Sequence, residues 1–293
     1  CGDLRDLAAL MTQEKIAVVT GSSSGIGLVT CVELARNGYR VVATMRDLGR
    51  WARLEEAAQK AGVRDRLGLR RLDITETDTL AGTVEEIVRD HGRIDVLVNN
   101  AGFSSAGFAE DIQLHELRHQ METNFFGNVA MTKVVLPVMR KQRSGHIIQM
   151  SSIVGRFSAP MLSSYSASKF ALEAWSEALR IEVHSLGIRV VLIEPGDYET
   201  DIWTRNVVIG KQAMDPSSPN RERSQRFVEF IKSRAPKRRD PREVAQLVVR
   251  VANDPNPKLR YVIGPDAKLH LRFRALMPWR RYERIVAKIS RID

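Results

Sequence analysis

At residues 15–27 the chain reads KIAVVTGSSSGIG, a short apolar run that leads directly into a turn with three glycines. The run is rich in Val and too short for a helix, so it predicts a buried strand. Glycines let the backbone turn tightly and approach a pyrophosphate, which would lie at the positive N-terminus of the helix that follows. A glycine-rich turn alone is also compatible with an ordinary strand-to-helix connection. Between a first strand and a helix, the spacing Gly-x-x-x-Gly-x-Gly predicts a dinucleotide site.

The same alternation of short apolar runs and helical patterns continues along the chain. Strands that are apolar on both faces and joined by helical crossovers predict a parallel sheet covered on both sides. The fold class is therefore α/β, of the Rossmann type, with a doubly wound and mainly parallel seven-stranded sheet plus a C-terminal helical extension. Further strands are expected at 40–45, 67–72, 95–98, 146–150, 189–193 and 261–263, and helices at 26–37, 51–61, 78–91, 114–141, 165–185 and 241–253.

Length and composition limit the domain organisation. The chain has 293 residues, 43% of them hydrophobic, enough for one sizeable core. We expect a leader or flexible N-terminus at 1–14, a single domain at 15–267 and a basic extension at 268–293. The polar segment 200–240 follows a strand directly, which favours a substrate lid over a mere surface loop. Two cysteines and the lack of a long apolar run predict a reducing, cytoplasmic setting without a signal peptide or membrane span.

The end of the second strand bears on the choice of cofactor. In this type of fold an acidic residue about 20 residues beyond the glycines selects NAD through the ribose 2′-hydroxyl. Met45 takes that position and Arg46 follows it. An arginine pairs with a 2′-phosphate that a carboxylate would repel. The pattern favours NADP(H), with NAD(H) possible if Arg46 is a surface residue and Asp47 turns inward.

A catalytic pair is expected at Tyr165 and Lys169. Residues four apart lie on one helix face, so the ammonium can sit beside the phenol and favour its ionised form. Ser152 precedes Tyr165 by thirteen positions. By itself the spacing could equally be a half-exposed Tyr next to a solvated Lys.

Taken together, these motifs resemble the short-chain dehydrogenase/reductase superfamily in its single-domain form. The resemblance covers about residues 15–265 and rests on residues 20–27, Asp73, residues 99–102, Asn124, Ser152, Tyr165, Lys169, Pro195 and Gly196. It implies that Tyr165 is the general acid in reduction or the base in oxidation, and that Lys169 lowers its pKa. Ser152 would bond the substrate oxygen, and Asn124 would hold a water that relays protons. The implied catalytic residues are Asn124, Ser152, Tyr165 and Lys169.

The resemblance also implies how a cofactor would be held. Asp73 would bond the adenine amino group and Thr200 the nicotinamide carboxamide. The acidic run Asp197, Glu199 and Asp201 is unusual for the family and bears on the geometry at Thr200. The full set of cofactor-binding candidates is Gly21, Ser23, Ser24, Gly25, Ile26, Gly27, Arg46, Asp73, Ile74, Asn100, Ala101, Gly102, Tyr165, Lys169, Pro195, Gly196 and Thr200. No metal site is expected.

Several alternatives remain open for single residues. Asn124 could simply bend a helix or bond a backbone carbonyl, and Ser151 could face the site in place of Ser152. Residues 43–48, 124–128 and 165–173 resemble the branch that contains 17β-hydroxysteroid dehydrogenase type 1 and the retinol dehydrogenases. That branch implies an oxidoreductase interconverting a secondary alcohol and ketone, or a primary alcohol and aldehyde, on a steroid, retinoid or polyketide-like compound. Candidate substrate contacts are Ser152, Phe157, Met161, Leu162 and Trp203.

The charge distribution indicates the kinds of partner. Residues 268–293 hold eight Lys or Arg and two acidic residues, a local +6 of the total +10, which leaves +4 for the rest and argues against nucleic acid. The apolar residues interleaved there are compatible with an anionic membrane surface, with packing on the domain or with a subunit partner. A homodimer or homotetramer is expected through 114–141 and 165–185. The alternative functions are an epimerase or dehydratase on the same scaffold, or a non-catalytic NADP-binding sensor.

Overall fold

A single seven-stranded parallel sheet organises the molecule. The computed structural model describes residues 14–203 and 206–292, without the side chains of Trp203 and Lys237. The sheet has the strand order β3-β2-β1-β4-β6-β7-β9. Its strands are β1 (Ile16–Val19), β2 (Arg40–Met45), β3 (Leu67–Arg71), β4 (Val96–Asn99), β6 (Gly145–Met150), β7 (Ile188–Pro195) and β9 (Arg260–Ile263). All seven predicted strands are confirmed within two residues at each end.

Helices cover both faces of this sheet, because each carries an apolar stripe that only the sheet can bury. One core packs α1 (Gly25–Arg36), α2 (Ala52–Lys60) and α8 (Arg242–Asn253) against the sheet through residues such as Leu34, Leu54 and Val248. The second core uses α3 (Thr77–His91), α5 (Asn128–Gln142) and α6 (Ser163–Val183) on the other face. The predicted doubly wound Rossmann-type architecture is confirmed.

The single helix predicted over 114–141 is wrong in one respect. It consists of α4 (Leu114–Met121), a π-helical turn (Glu122–Gly127) and α5. Gly127 allows this turn to approach the backbone closely, since a Cβ there would lie 2.8 Å from the carbonyl oxygen of Ile74. The wider turn changes the direction of the side chains at its centre, and such turns occur often at functional sites. Asn124 lies in it.

Several elements that periodicity did not predict lie over the carboxyl ends of the strands. A small parallel sheet pairs β5 (Ser104–Ala106) with β8 (Val207–Ile209), and α7 (Arg221–Ser233) follows within the segment expected to be a lid. The predicted C-terminal helical extension is confirmed and consists of two helices, α9 (Pro265–Leu276) and α10 (Trp279–Ile289). The first begins at Pro265, three residues before the expected start of the extension, because proline is favoured in a first helical turn. The predicted leader falls almost wholly on residues 1–13, outside the described residues.

Candidate active site

The glycine-rich turn after β1 is built so that its backbone stays open. Gly21 and Gly25 have φ of +68° and +55°, where side chains other than glycine are strained. A Cβ at Gly27 would lie 2.3 Å from the carbonyl oxygen of Gly21. Asn100 braces the turn from β4, since its Nδ2 donates to the carbonyl oxygens of Thr20 (2.9 Å) and Gly21 (3.1 Å). These features fit a cradle that a pyrophosphate can approach at the N-terminus of α1.

One cavity of about 900 Å³ runs from this turn across the carboxyl ends of the strands to the C-terminal helices. Its position is that expected for ligands in an open parallel sheet. Gly27 packs beneath the turn and is not among its lining residues. Every other predicted cofactor residue lines the cavity: Gly21, Ser23, Ser24, Gly25, Ile26, Arg46, Asp73, Ile74, Asn100, Ala101, Gly102, Tyr165, Lys169, Pro195, Gly196 and Thr200.

The end of β2 presents cations to this cavity. Arg46 is exposed at its edge, and Arg50, which sequence reasoning missed, lines it one helical turn further on. The carboxylate of Asp47 caps the turn that follows, accepting a hydrogen bond from the backbone N–H of Gly49 at 2.9 Å. Asp73 is held after β3 by Thr75, whose backbone N–H and hydroxyl both donate to it. Burial raises the pKa of Asp73, but those bonds and the cations nearby outweigh it and lower the pKa overall.

Ser152, Tyr165 and Lys169 meet at the centre of the cavity. Tyr165 and Lys169 stand one turn apart on α6, and the ammonium nitrogen lies 5.7 Å from the centroid of the phenol ring. The hydroxyl of Ser152 acts on the phenol and lowers its pKa, and it accepts a hydrogen bond from the backbone N–H of Val154 at 3.3 Å. Ser151 also borders the cavity but is buried against Gly155, whereas Ser152 is the serine that acts on the phenol of Tyr165.

The charges in this group differ from the sequence expectation. Burial raises the pKa of the Tyr165 phenol to about 12, and the nearby hydroxyl of Ser152 offsets this effect only in part. Burial lowers the pKa of the Lys169 ammonium to about 8, opposed by the carboxylate of Glu173. Lys169 Nζ donates to the carbonyl oxygen of Met150 at 2.7 Å, which uses one of its three N–H groups. Burial dominates at Tyr165, so its phenol is protonated at neutral pH.

Asn124 is held rigidly by the π-helical turn. Its side chain accepts from the backbone N–H of Phe103 at 3.1 Å and donates to the carbonyl oxygen of Phe103 at 2.9 Å. It also donates to the hydroxyl of Ser168 at 3.2 Å, which connects it to the helix of Tyr165. The side chain is completely buried yet borders the cavity. Both a structural role and a water-holding role are compatible with this position, and the proton relay stays a prediction.

The acidic run after β7 has partners in the surrounding segments. Asp197 pairs with Arg234 at 3.1 Å and with Arg238 at 3.2 Å. Asp201 pairs with Arg53 of α2 at 2.7 Å. Thr200, between them, approaches the dinucleotide turn, since a Cβ at Gly25 would lie 3.5 Å from its Cβ. The unusual acids therefore fasten this loop over the turn.

The predicted substrate contacts are only partly brought together. Phe157 and Leu162 line the cavity with Ser152. Met161 does not: it is buried, in a left-handed backbone conformation (φ +59°), with its carbonyl oxygen accepting from Gly107. The side chain of Trp203 lies outside the described residues. Sequence reasoning missed a far wall formed by Phe227, Phe230, Ile231, His270, Phe273, Tyr282, Ile285, Val286 and Ile289. The helical spacing of Phe227, Phe230 and Ile231 was a signal available in the sequence.

Comparisons with known proteins agree with this architecture. A family model described as "short chain dehydrogenase" matches residues 15–207. An uncharacterized oxidoreductase, YusZ, from Bacillus subtilis is 40% identical over 94% of this chain and 98% of its own length. Retinol dehydrogenase 8 from Homo sapiens is 35% identical over 84% of this chain and 80% of its own. The crystal structure of a short-chain dehydrogenase from Streptomyces avermitilis superposes with a TM-score of 0.78 at 30% identity, covering 95% of this chain and 97% of that one.

Proposed function

The chain belongs to the short-chain dehydrogenase family and is an oxidoreductase that acts on CH–OH groups, and on this premise we propose that it is an NADP(H)-dependent enzyme interconverting an alcohol and a carbonyl on a bulky apolar substrate. The observation that carries the proposal is the meeting of Ser152, Tyr165 and Lys169 in one cavity that also contains the dinucleotide turn. When bound, a reduced nicotinamide supplies the hydride for the carbonyl carbon.

The protein groups then handle binding and the proton. Ser152 donates a hydrogen bond to the substrate oxygen and stabilises the negative charge that develops there. The buried, protonated phenol of Tyr165 gives its proton to that oxygen and acts as the base in the reverse direction. Lys169 stabilises the phenolate that Tyr165 leaves behind and binds the nicotinamide ribose. Asn124 lies where it could hold the water through which Tyr165 and Lys169 recover a proton.

Two cations support the preference for NADP(H). Arg46 and Arg50 both reach the cavity at the end of β2, where the adenosine ribose of a dinucleotide would lie. A guanidinium matches a phosphate with two parallel hydrogen bonds. Asp47, the residue that could take over an NAD-selective role, is engaged as a turn cap and stands on an exposed segment.

The far wall supports an apolar substrate. Phe227, Phe230 and Ile231 of α7 line the cavity together with Phe273 of α9 and Ile285 of α10. Phe157 continues this surface towards Tyr165, with which it shares a hydrophobic cluster. Such a wall binds a large hydrophobic molecule by burial of apolar area, in keeping with the likeness to retinol dehydrogenase 8.

Tyr165→Phe tests the reaction. We expect the variant to bind NADPH as the wild type does and to lose at least about a hundredfold in turnover, since it lacks the proton donor. The substrate panel would include a steroid ketone, a retinoid aldehyde and a small ketone. Retained turnover in the variant would contradict the proposed chemistry, and net redox inactivity of the wild type on every substrate would favour an epimerase, dehydratase or sensor.

We further propose that the enzyme forms a homodimer through the exposed faces of its two long helical segments. Phe126, Phe170 and Ile181 project there with 49%, 44% and 76% of their surface exposed. Ile181→Arg should then produce monomers in analytical ultracentrifugation. A variant that keeps the wild-type sedimentation coefficient would exclude this face.

We also propose a membrane contact, confined to residues 276–279 and not spread over the whole basic extension 268–293. The inner sides of α9 and α10 line the cavity, so they are not available to lipid. The corner at residues 276–279 is available: Leu276 and Trp279 are 86% and 58% exposed, between Arg274 and Arg280. Apolar residues flanked by cations suit an anionic bilayer surface. No helix in the described part of the chain is long and apolar enough to cross a membrane.

Co-sedimentation with anionic and with uncharged vesicles tests this contact. Replacing Leu276 and Trp279 by Ser is cleaner than deleting 268–293, because deletion would also open the cavity. Leu114→Ser, at a 58% exposed position on α4, is the matched control. Equal binding by the wild type and the double variant would exclude the corner as a membrane contact.

A further inference from the structure

A cluster of buried charges lies behind Lys169, on the side away from the phenol. Glu173 follows Lys169 by one turn of α6, and its side chain is 5% exposed. Its Oε2 is 2.9 Å from Nε of Arg260 on β9. The same guanidinium lies 3.6 Å from Glu194 of β7, whose side chain is fully buried. Two buried carboxylates therefore share one arginine.

The turn at Gly155 packs against Glu173 and Lys169 together. A Cβ at Gly155 would lie 3.0 Å from Cγ of Glu173 and 3.3 Å from Cβ of Lys169, so the turn Ile153–Gly155 presses against α6 between these side chains. Arg260 holds one carboxylate oxygen of Glu173, while Oε1 is buried with no hydrogen-bond partner among the described residues. A buried carboxylate at this spacing acts on the ammonium one turn away through a medium of low dielectric.

We propose that Glu173, fixed by Arg260, is a positioning residue that keeps the buried ammonium of Lys169 charged during the reaction. The inference rests on the proposed function, in which Lys169 must be a cation to stabilise the phenolate and bind the ribose. Glu173 touches neither substrate nor cofactor and acts through Lys169 alone.

The balance of charge at Lys169 shows why such a residue is needed. Burial brings the pKa of Lys169 down to about 8, even with Glu173 raising it, so the group is only modestly more stable as a cation at neutral pH. Tyr165 faces it from the same helix. Glu194 and Glu177 add negative charge behind it, and Arg260 and Arg156 add positive charge. Burial, together with repulsion by Glu173, also raises the pKa of Glu194 to about 7.

Glu173→Gln is the test, with Glu177→Gln as the matched control. Glu177 pairs with the same Arg260 at 2.5 Å but is 55% exposed and stands a further turn from Lys169. The dissociation constant of NADPH and the rate of ketone reduction are measured against pH. Loss of a nearby opposite charge should move the alkaline limb of both profiles down by about one pH unit in Glu173→Gln. The control should keep the wild-type profile.

A second readout needs neither cofactor nor substrate. The free enzyme is treated with acetic anhydride at several pH values, and acetylation of Lys169 is followed by mass spectrometry. Only the neutral amine reacts, so Lys169 of Glu173→Gln should become reactive at lower pH than in the wild type. This readout distinguishes the role of Glu173 from the proposed function, because acetylation of Lys169 can be measured even if the enzyme reduces no ketone.

The outcomes divide clearly. A Glu173→Gln variant that loses activity equally at all pH values, with the pH dependence of Lys169 acetylation unchanged, would show a merely structural role and overturn the proposal. A control shifted as far as Glu173→Gln would also overturn it. If Glu173→Gln does not fold, Glu173→Asp is tested in its place, because this substitution keeps the negative charge but moves the carboxylate closer to the backbone by one methylene. A smaller downward shift is then expected, and an unshifted profile refutes the inference.

Discussion

The proposed preference for NADP(H) over NAD(H) can be tested at a single side chain, Arg46. The residue stands exposed at the carboxyl end of β2, where its guanidinium borders the cavity beside Arg50. Asp47 also borders the cavity, where its carboxylate accepts a hydrogen bond from the backbone N–H of Gly49. Arg46→Ala therefore removes one of two cations and leaves the turn that carries them unchanged.

The magnitude follows from the type of bond that is lost. A hydrogen bond to a charged group contributes about 1.5–3 kcal/mol, and exposure to solvent puts Arg46 at the lower end of that range. Since about 1.4 kcal/mol corresponds to a factor of ten, NADPH should bind about tenfold to thirtyfold more weakly. NADH lacks the 2′-phosphate, so its affinity should change by less than about twofold, because no charged bond is lost.

Fluorescence titration of the free enzyme with NADPH and NADH measures both affinities. Arg64→Ala is the control, since Arg64 is a cation that does not line the cavity and instead pairs with Glu55 and stacks on Trp51. Arg46→Ala combined with Arg50→Ala should weaken NADPH further, and added salt should reduce every difference. Equal weakening of both cofactors by Arg46→Ala, or tighter NADH binding by the wild type, would refute the reasoning.

Three further outcomes are expected. Gly27→Ala should abolish dinucleotide binding and lower the melting temperature, because its Cβ would lie 2.3 Å from the Gly21 carbonyl oxygen. Gly82→Ala, in open space on α3, is the control and should be neutral or stabilising, so equal effects of the two substitutions would contradict the clash. Burial raises the pKa of Glu194 from 4.5 to about 7, so the folded state binds an extra proton and wild-type stability should fall as pH rises through that window. Above it, chemical denaturation should find Glu194→Gln less pH-dependent and about 3 kcal/mol more stable than the wild type, whereas a flat wild-type profile would exclude the buried acid. Ile285→Asp should raise KM for bulky ketones at least about tenfold, because it places a charge in the apolar wall, while small ketones should be reduced as before. Unchanged kinetics with both kinds of ketone would show that α10 is not part of the substrate site.

The proposed role of Glu173 illustrates what spacing can and cannot predict. The four-residue intervals from Tyr165 to Lys169 and from Lys169 to Glu173 are visible in the sequence, and a helix puts all three on one side. Burial of that side is a property of the assembled sheet and of the turn at Gly155. Without burial the pair would behave as expected for a half-exposed Tyr and Lys, and the phenol pKa would fall and not rise.

The seven strands, the helices between them and the glycine turn follow from the sequence alone, because each depends on residues that are near one another in the chain. A strand needs only a short apolar run, and the dinucleotide turn needs only glycine where a Cβ would strike the neighbouring backbone. The order of the parallel strands then brings their carboxyl ends, and the residues after them, to one edge.

Only the tertiary structure decided the protonation of Tyr165 and Lys169, the π-helical turn at Asn124 and the surface against which the basic extension 268–293 packs. The mixture of apolar and basic residues at 268–293 is equally compatible with contact to lipid, to a partner or to its own domain, because the sequence of an amphipathic helix does not specify what covers its apolar face. The structure turns Tyr282 and Ile285 towards the cavity and leaves Leu276 and Trp279 outside. The physical reason is that desolvation and packing arise between segments far apart in the chain, whereas strands, turns and helical spacing are local.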